Sequence, residues 1–254
     1  MFILFSLVCS AQLKCPPLGK INNDGRFNIT AGIGPTLLYR DINYGRNVGF
    51  AGVLKGDYKI YKGLFAGIEG QFGMLNSYGK NYDVEESNLS ATAERDARYV
   101  KNYYLAGTLN VTVYPGLFFV DEARDFRVPS IPTLIARGLY AGIGFGGIIN
   151  QYDKLYRGYG VDSPSGRGEA EEVTDEAGNT TRKYKTPTRD LLWPVFNVGL
   201  SMPINKYSTV GKGYWSAVLN SQFNFAAGDQ LDAYTVGSKG DVYNLTYLGL
   251  KYTF

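Results

Sequence analysis

Eight stretches of this sequence alternate apolar residues with polar residues or glycine, one for one. The stretches span 26–40, 46–60, 63–77, 98–114, 134–153, 190–204, 213–228 and 241–254. In the seventh, for example, Leu219 and Phe223 share one parity while Asn220 and Gln222 share the other. A period of two places apolar side chains on one face of a β-strand and polar side chains on the opposite face. The pattern therefore predicts an all-β chain with eight antiparallel strands.

The composition also favours strands over helices. The 254 residues include 32 glycines and 21 tyrosines; glycine weakens helices, and tyrosine favours pleated surfaces. The sequence has no apolar run of about 18 residues, so we expect no transmembrane helix, and a chain without one can cross a membrane only as a closed barrel. The formal charge of +3 is too small to indicate a nucleic-acid partner.

Two kinds of barrel fit eight such strands. In a transmembrane up-and-down barrel the apolar face contacts lipid, and each stretch exceeds the roughly 9–11 residues that a tilted strand needs to cross. In a soluble lipocalin-like barrel the same face points inward to a ligand. Glycine crowds the polar face, which suits a narrow lumen. Aromatic residues lie near the ends of the stretches, where membrane barrels carry interfacial girdles: Tyr39, Tyr58, Tyr99, Tyr103, Trp215 and Tyr252. These features favour the transmembrane barrel.

The C-terminal residues form a spaced pattern of aromatic residues and glycine. This ending resembles the β-signal of bacterial outer-membrane barrels. The residues that match the aromatic and glycine positions of that signal are Tyr247, Gly249, Tyr252 and Phe254. The alternative is an ordinary closing strand. The resemblance implies a barrel over 26–254 in the bacterial outer membrane, surrounded by lipid and lipopolysaccharide. It also implies that the barrel-assembly machinery recognises the last strand. The Tyr- and Gly-rich strands look like those of small, eight-stranded outer-membrane barrels of Bacteroidota-type bacteria.

The N-terminal residues have the character of a secretion signal. Residues 1–11 are uncharged and mostly apolar, and Ser10-Ala11-Gln12 resembles a small-residue cleavage site. The alternative is a buried N-terminal strand. We predict a signal peptide over 1–11 and a periplasmic linker over 12–25. Cleavage would leave Cys15 as the only cysteine, which excludes an internal disulfide.

The connections between the strands predict an orientation and two candidate partner surfaces. If Phe254 ends in the periplasm, the connections 41–45, 78–97, 154–189 and 229–240 face outside, and 61–62, 115–133 and 205–212 face the periplasm. Segment 115–133 is long for a periplasmic turn and is expected to dock a partner, plug the barrel base or stay idle. The charged segment 154–189 is either a binding surface or a solvated loop, with a hairpin tip at 175–179. Gly146-Gly147 predicts a bulge that flips the parity of the fifth strand.

Six charged residues are expected to face the lumen. In a narrow barrel they should pair, because an isolated charge in a poorly hydrated interior is costly. Lys55, Asp57 and Lys59 on one strand lie beside Glu69 on the next. The set either lines a polar pore or plugs the lumen, and plugging is favoured because eight-stranded barrels are filled by side chains. The full set is Arg40, Lys55, Asp57, Lys59, Glu69 and Lys251.

The absence of histidine limits the chemistry available to the chain. With no histidine among the 254 residues, a Ser-His-Asp arrangement is impossible, and so is a zinc site that uses histidine. The glycine-rich run 142–147 lies inside an alternating stretch with no following helix, so it is not a phosphate loop. We expect no catalytic residues, no metal and no cofactor. The predicted role is structural or interaction-based, for example as an accessory subunit of an outer-membrane complex; the alternatives are a narrow porin-like channel and a soluble lipocalin-like binder.

Overall fold

Eight strands form a closed antiparallel barrel in the computed structural model of the chain. The structure describes residues 25–39, 48–78, 99–119, 130–155, 170–174, 180–184, 187–204, 213–228, 231 and 240–254. The barrel strands are β1 (Phe27–Tyr39), β2 (Val48–Tyr61), β3 (Leu64–Tyr78), β4 (Tyr99–Val113), β5 (Leu139–Leu155), β8 (Thr188–Pro203), β9 (Tyr214–Ala226) and β10 (Val242–Thr253). Their order around the barrel is β1-β10-β9-β8-β5-β4-β3-β2. The predicted all-β, eight-stranded antiparallel barrel is confirmed.

Each barrel strand pairs with its neighbours along the chain, and β10 returns to close on β1. The closing register joins Asn28 to Thr253 and Gly32 to Gly249, and the Phe254 amide donates to the Phe27 carbonyl at 3.0 Å. We call the end where residues 25 and 254 lie the terminal end, and the opposite end the loop end. At the terminal end β2 and β3 are joined by a two-residue turn. Its Gly63 has a φ of 75°, which glycine adopts without a steric penalty.

Three further elements lie outside the barrel wall. β6 (Ala170–Thr174) and β7 (Thr180–Tyr184) form a separate two-stranded sheet at the loop end, so the hairpin predicted around 175–179 is confirmed, although its tip lies outside the described residues. At the terminal end, α1 (Pro115–Phe118) and α2 (Ile131–Gly138) connect β4 to β5. No helix in the described ranges is long and apolar enough to cross a membrane.

The fifth strand begins later than the sequence pattern predicts. The alternating stretch was placed at 134–153, whereas residues up to Gly138 belong to α2 and the strand begins at Leu139. Leu134 and Ala136 favour helix strongly, and a proline near the first helical position is compatible with the helical first turn. The alternation in this short segment is therefore overridden by helix formation.

The apolar parity of the barrel strands faces outward, as predicted for a transmembrane barrel. The exposed apolar side chains of β1, β3 and β9 include Ile29, Ile68 and Leu219, and the residues that follow them, Thr30, Glu69 and Asn220, are buried in the lumen. Aromatic side chains lie on the outer wall near both ends, with most of them at the terminal end. At the loop end these are Tyr39 and Tyr103, and at the terminal end they are Phe27, Tyr58, Tyr61, Trp215, Tyr252 and Phe254.

The predicted parity flip in β5 is wrong, and the irregularity lies on the neighbouring strand. Even-numbered residues of β5 point inward both before and after the glycine pair, from Tyr140 to Tyr152. The register between β5 and β8 shifts instead: Gly144 pairs with Val195, and Gly146 pairs with Leu192. The extra residue therefore belongs to β8, where inward parity changes from even to odd across 193–194. A bulge bends the strand that holds the additional residue.

Candidate functional site in the barrel lumen

A buried ion pair lies in the lumen on β2. The Lys55 ammonium is 3.2 Å from the Asp57 carboxylate, and both side chains are less than a tenth exposed. Lys55 also donates to the Thr112 hydroxyl on β4 at 3.1 Å. Burial of either charge alone would be costly, so the pair and its hydrogen bond supply the compensation that a narrow lumen requires.

Beside this pair, a series of hydrogen-bonded side chains extends across the centre of the lumen. Glu69 lies directly opposite Lys55 in the β2–β3 register. The Gln71 amide donates to the Glu69 carboxylate at 2.7 Å, and the Tyr243 hydroxyl donates to the Gln71 carbonyl oxygen at 3.0 Å. The Tyr243 ring packs against Tyr104, with centroids 5.4 Å apart. This chain links β3, β4 and β10 across the barrel.

Aromatic side chains close the lumen at the terminal end. Tyr114 lies between Phe65 and Tyr140, with ring centroids 5.3 and 5.0 Å away. Leu117 of α1 packs against the same buried cluster. Lys251 lies over the Tyr114 ring, with its ammonium 5.2 Å from the centroid. Burial raises the pKa of the Tyr114 hydroxyl well above its ordinary value. Leu117 is the described residue of segment 115–133 that packs against this cluster, and a plug formed by the segment stays a prediction.

A leucine from the last connection closes the lumen at the loop end. Leu231 is fully buried, and its carbonyl accepts a hydrogen bond from the Asn102 amide at 3.0 Å. Its own amide donates to the Asp241 carboxylate at 2.9 Å. The Asn102 amide also donates to Asn150 at 2.8 Å. These bonds hold an apolar side chain in the barrel mouth.

The middle of the lumen is inaccessible to solvent in the described part of the chain. Gln71 and Gln222, on opposite sides of the barrel, have an exposed fraction of 0%. Apolar side chains from the strands fill the space around them, including Val53, Leu75, Ile148 and Val218. The lumen is therefore a packed core rather than an open passage.

The structure describes five of the six predicted lumen charges, and three of them, Lys55, Asp57 and Glu69, lie close together on β2 and β3. Lys55 and Asp57 pair with each other, Glu69 bonds to an amide, and Lys251 lies over an aromatic ring at the terminal end. Lys59 has the inward parity but is only half buried at the end of β2. Arg40 lies outside the described residues.

Residues that the sequence analysis did not single out provide most of the internal bonding. Tyr140 donates to Asn220 at 2.9 Å, and both Asp190 carboxylate oxygens accept the Gly228 amide at 3.0 Å. Inward parity was the available signal for the asparagines and glutamines. Some of their partners lie two residues away on the same strand, as for Gln222 and Asn224. Others come from strands far apart in sequence, as for Asn220 and Tyr140, and alternation does not indicate these.

The four residues of the predicted assembly signal divide between the two faces of β10. Tyr247 and Gly249 point inward, and Tyr247 is buried in the core. Tyr252 and Phe254 are among the aromatic side chains on the outer wall, with their ring centroids 4.8 Å apart. Tyr252 also contacts Trp215, and Phe254 contacts Phe27 across the closing seam.

The described residues contain no group of three or more acidic, cysteine or histidine side chains that could hold a metal ion. Their buried polar groups contribute hydrogen bonds and ion pairs that link strands. The chemistry that this lumen visibly supports is the internal bonding of a closed barrel.

Comparison with known proteins finds distant similarity to bacterial surface barrels. No family model matches the sequence, and no curated protein matches it. Neisserial surface protein A (NspA) has a TM-score of 0.43 and 10% identity, over 90% of this chain and 97% of that one. Ail of Yersinia pestis, in complex with the heparin analogue sucrose octasulfate, has a TM-score of 0.41 and 11% identity, over 91% of this chain and 99% of that one. The outer membrane protein OprG of Pseudomonas aeruginosa has a TM-score of 0.35 and 11% identity, over 91% of this chain and 96% of that one. The fold assignment rests on the strand order of this chain itself.

Proposed function

We propose that this protein is a non-enzymatic integral β-barrel of the bacterial outer membrane with a closed lumen. Its role is structural or interaction-based, as expected of an accessory subunit in an outer-membrane complex. The observation that carries this proposal is the combination of an apolar outer wall with a lumen packed from end to end. A wall of this kind needs lipid around it, and a lumen of this kind leaves the connections between strands as the surfaces for partners.

The outer wall supports a membrane location. Large apolar side chains such as Ile33, Phe72 and Leu248 are more than half exposed on the barrel exterior, where water would make them costly. Aromatic residues at both ends match the girdles that lie at the two interfaces of membrane barrels. A soluble lipocalin-like barrel would present the opposite face to solvent, so this alternative is disfavoured.

The packed lumen argues against a channel. Tyr114 and Leu117 fill the terminal end, and Leu231 fills the loop end. Between them the Lys55–Asp57 pair and the bonded Glu69 cross the barrel. A solute would have to displace packed side chains and break buried charge interactions. Eight-stranded barrels are narrow enough for side chains to fill them, which agrees with this interpretation.

The connections suggest an orientation and the surfaces that partners would use. We infer that the terminal end faces the periplasm, and in that orientation the β6–β7 hairpin faces outside. The segment 154–189, which contains this hairpin, would contact lipopolysaccharide or a protein partner at the cell surface, and 115–133 would face the periplasm. The signal peptide over 1–11 and the Bacteroidota-type origin remain predictions from the sequence.

Single-channel recording in planar lipid bilayers tests the closed lumen. We expect the protein to insert and remain electrically silent because its lumen is packed. The matched control is the double variant Tyr114→Ala with Leu117→Ala, which removes the side chains that close the terminal end. Steady openings of the unaltered protein would overturn the closed-lumen proposal and favour the channel. Openings of the double variant alone would show that these two side chains contribute to the closure.

A further inference from the structure

The connection between β4 and β5 exposes an unusual set of apolar side chains. Phe119, directly after α1, is 89% exposed, and Ile131, the first residue of α2, is 69% exposed. Phe118 and Ile135 are also exposed. Exposed apolar residues scattered singly need no explanation, but a cluster at one end of a molecule marks a surface that contacts a membrane or another protein.

The polarity of α2 is the reverse of that of a helix on a water-soluble domain. Ile131, Pro132, Ile135 and Ala136 are its exposed residues, and all four are apolar. Thr133 and Arg137, its most polar residues, are half buried. A surface helix in water turns its polar face outward. The environment of the outer face of α2 is therefore expected to be apolar.

Contacts hold the two helices together and connect them to the barrel wall. The Gly116 position in α1 lies against the Ala136 carbonyl of α2, where any side chain would collide with the backbone. The Phe118 ring lies 6.5 Å from the ring of Tyr61, which points outward at the end of β2. The exposed apolar set thus continues from the outer wall of the barrel onto the helices.

We propose that α1, Phe119 and α2 form a lipid-embedded anchor at the terminal end of the barrel, in the periplasmic leaflet of the outer membrane. This inference rests on the proposed membrane location. Lipid is the occupant because the exposed apolar surface is continuous, through the contact of Phe118 with Tyr61, with an outer wall that already requires lipid. Interfacial helices bury their apolar face about 5–10 Å into the boundary between headgroups and acyl chains.

Fluorescence quenching in vesicles tests the anchor. Trp193→Phe and Trp215→Phe remove the two native tryptophans. Single tryptophans are then introduced by Phe119→Trp and Ile135→Trp, at exposed positions where a larger ring meets little resistance. The protein is inserted into phosphatidylcholine–phosphatidylglycerol vesicles whose acyl chains carry bromine either near the headgroup or near the chain terminus. We expect about twofold loss of emission with the shallow bromines, less with the deep ones, and little loss with aqueous iodide.

The variant Leu219→Trp in the same background separates the two proposals. Leu219 lies in the middle of β9 and points outward, so the deep bromines should quench its tryptophan most. If they do not, the membrane barrel itself is wrong. If they do, while iodide quenches the tryptophans at 119 and 135, those residues face water and the anchor is wrong. If neither quencher reaches those two positions, a protein contact covers them, and the anchor is again overturned.

Discussion

The two faces of the barrel wall are made by the same strands but obey different rules. On β9, Leu219 and Phe223 point outward, and Asn220 and Gln222 point inward. The outward residues need only be apolar and of suitable size, because one uniform surrounding satisfies all of them. Many inward polar residues depend on a particular partner, because an unpaired polar group in a dry lumen is costly. The Tyr104 hydroxyl and the Asn197 amide are exceptions, since they are buried without a hydrogen-bond partner among the described residues. On the outer wall, each position can therefore be filled independently of the others. In the lumen, the residue at one position depends on the one or two residues that it bonds to.

Three polar residues on the outer wall need specific partners, as the residues in the lumen do. Ser221, Asn244 and Thr246 have outward parity on β9 and β10. Asn244 donates to Ser221 at 2.9 Å, and Thr246 bonds to Ser221 at 3.1 Å and to Asn244 at 2.9 Å. Polar groups in hydrocarbon must be satisfied within the protein. These three residues bond to one another on a surface formed mainly by apolar side chains.

The largest effect is expected from breaking the buried ion pair in the lumen. We compare variants in a Glu69→Gln background, which removes the carboxylate that lies opposite Lys55 on β3. In this background Asp57→Asn leaves the Lys55 ammonium without its carboxylate partner at 3.2 Å. Removing one partner of a buried pair costs about 3–5 kcal/mol, since the other charge stays buried and uncompensated. We expect the free energy of unfolding to fall by this amount. The measurement is urea unfolding in detergent micelles, followed by tryptophan fluorescence.

A double variant serves as the control for this change. Replacing both partners in the same Glu69→Gln background, with Lys55→Met and Asp57→Leu, removes the pair without leaving a lone charge. Such replacements are often neutral, so most of the lost stability should return. A loss below about 1 kcal/mol for Asp57→Asn, a size typical of exposed pairs, would show that water screens the pair and that the lumen is not a dry core.

A charge placed on the outer wall is expected to cost somewhat less, and its cost should depend on depth. Leu219→Arg puts a cation in the middle of the lipid-facing wall, where such changes cost about 2–4 kcal/mol. Val48→Arg puts the same side chain at the loop end of β2, where the cost is about 0–1 kcal/mol. Unfolding from lipid vesicles measures both. Equal costs at the two positions would contradict a bilayer around the barrel.

The two faces also differ in how well the sequence predicted them. Alternation located the barrel strands and their outward residues, because the period of two depends only on which side is apolar. It placed β1 at 26–40 against the observed Phe27–Tyr39. The hydrogen-bond partners in the lumen were harder to predict. Tyr243 bonds to Gln71, which lies 172 residues earlier in the sequence, and no local sequence pattern indicates that contact. The parity change on β8 was missed because a bulge needs only one extra residue, and the glycine pair on the neighbouring strand was the more visible feature.

The smallest effect is expected at Gly107, which differs from Gly146 on the neighbouring strand in the face that it presents. Gly107 on β4 faces outward, and a methyl group added there would meet nothing within 4 Å. Gly146 on β5 faces inward, and the same methyl group would strike the carbonyl oxygen of Gly107 and the Thr108 backbone. Glycine within a strand costs about 0.5–1 kcal/mol relative to alanine. Gly107→Ala should therefore raise the free energy of unfolding by that amount.

Gly146→Ala, measured in the same urea titration, should lower stability instead, because the atoms it meets belong to the backbone of the β4–β5 ladder and cannot rotate away. The opposite signs follow from geometry alone: lipid yields to a new methyl group, and a hydrogen-bonded strand does not. If Gly107→Ala were as harmful as Gly146→Ala, something other than lipid would have to lie against the outer wall at β4. The outer face would then be as specific in its contacts as the lumen.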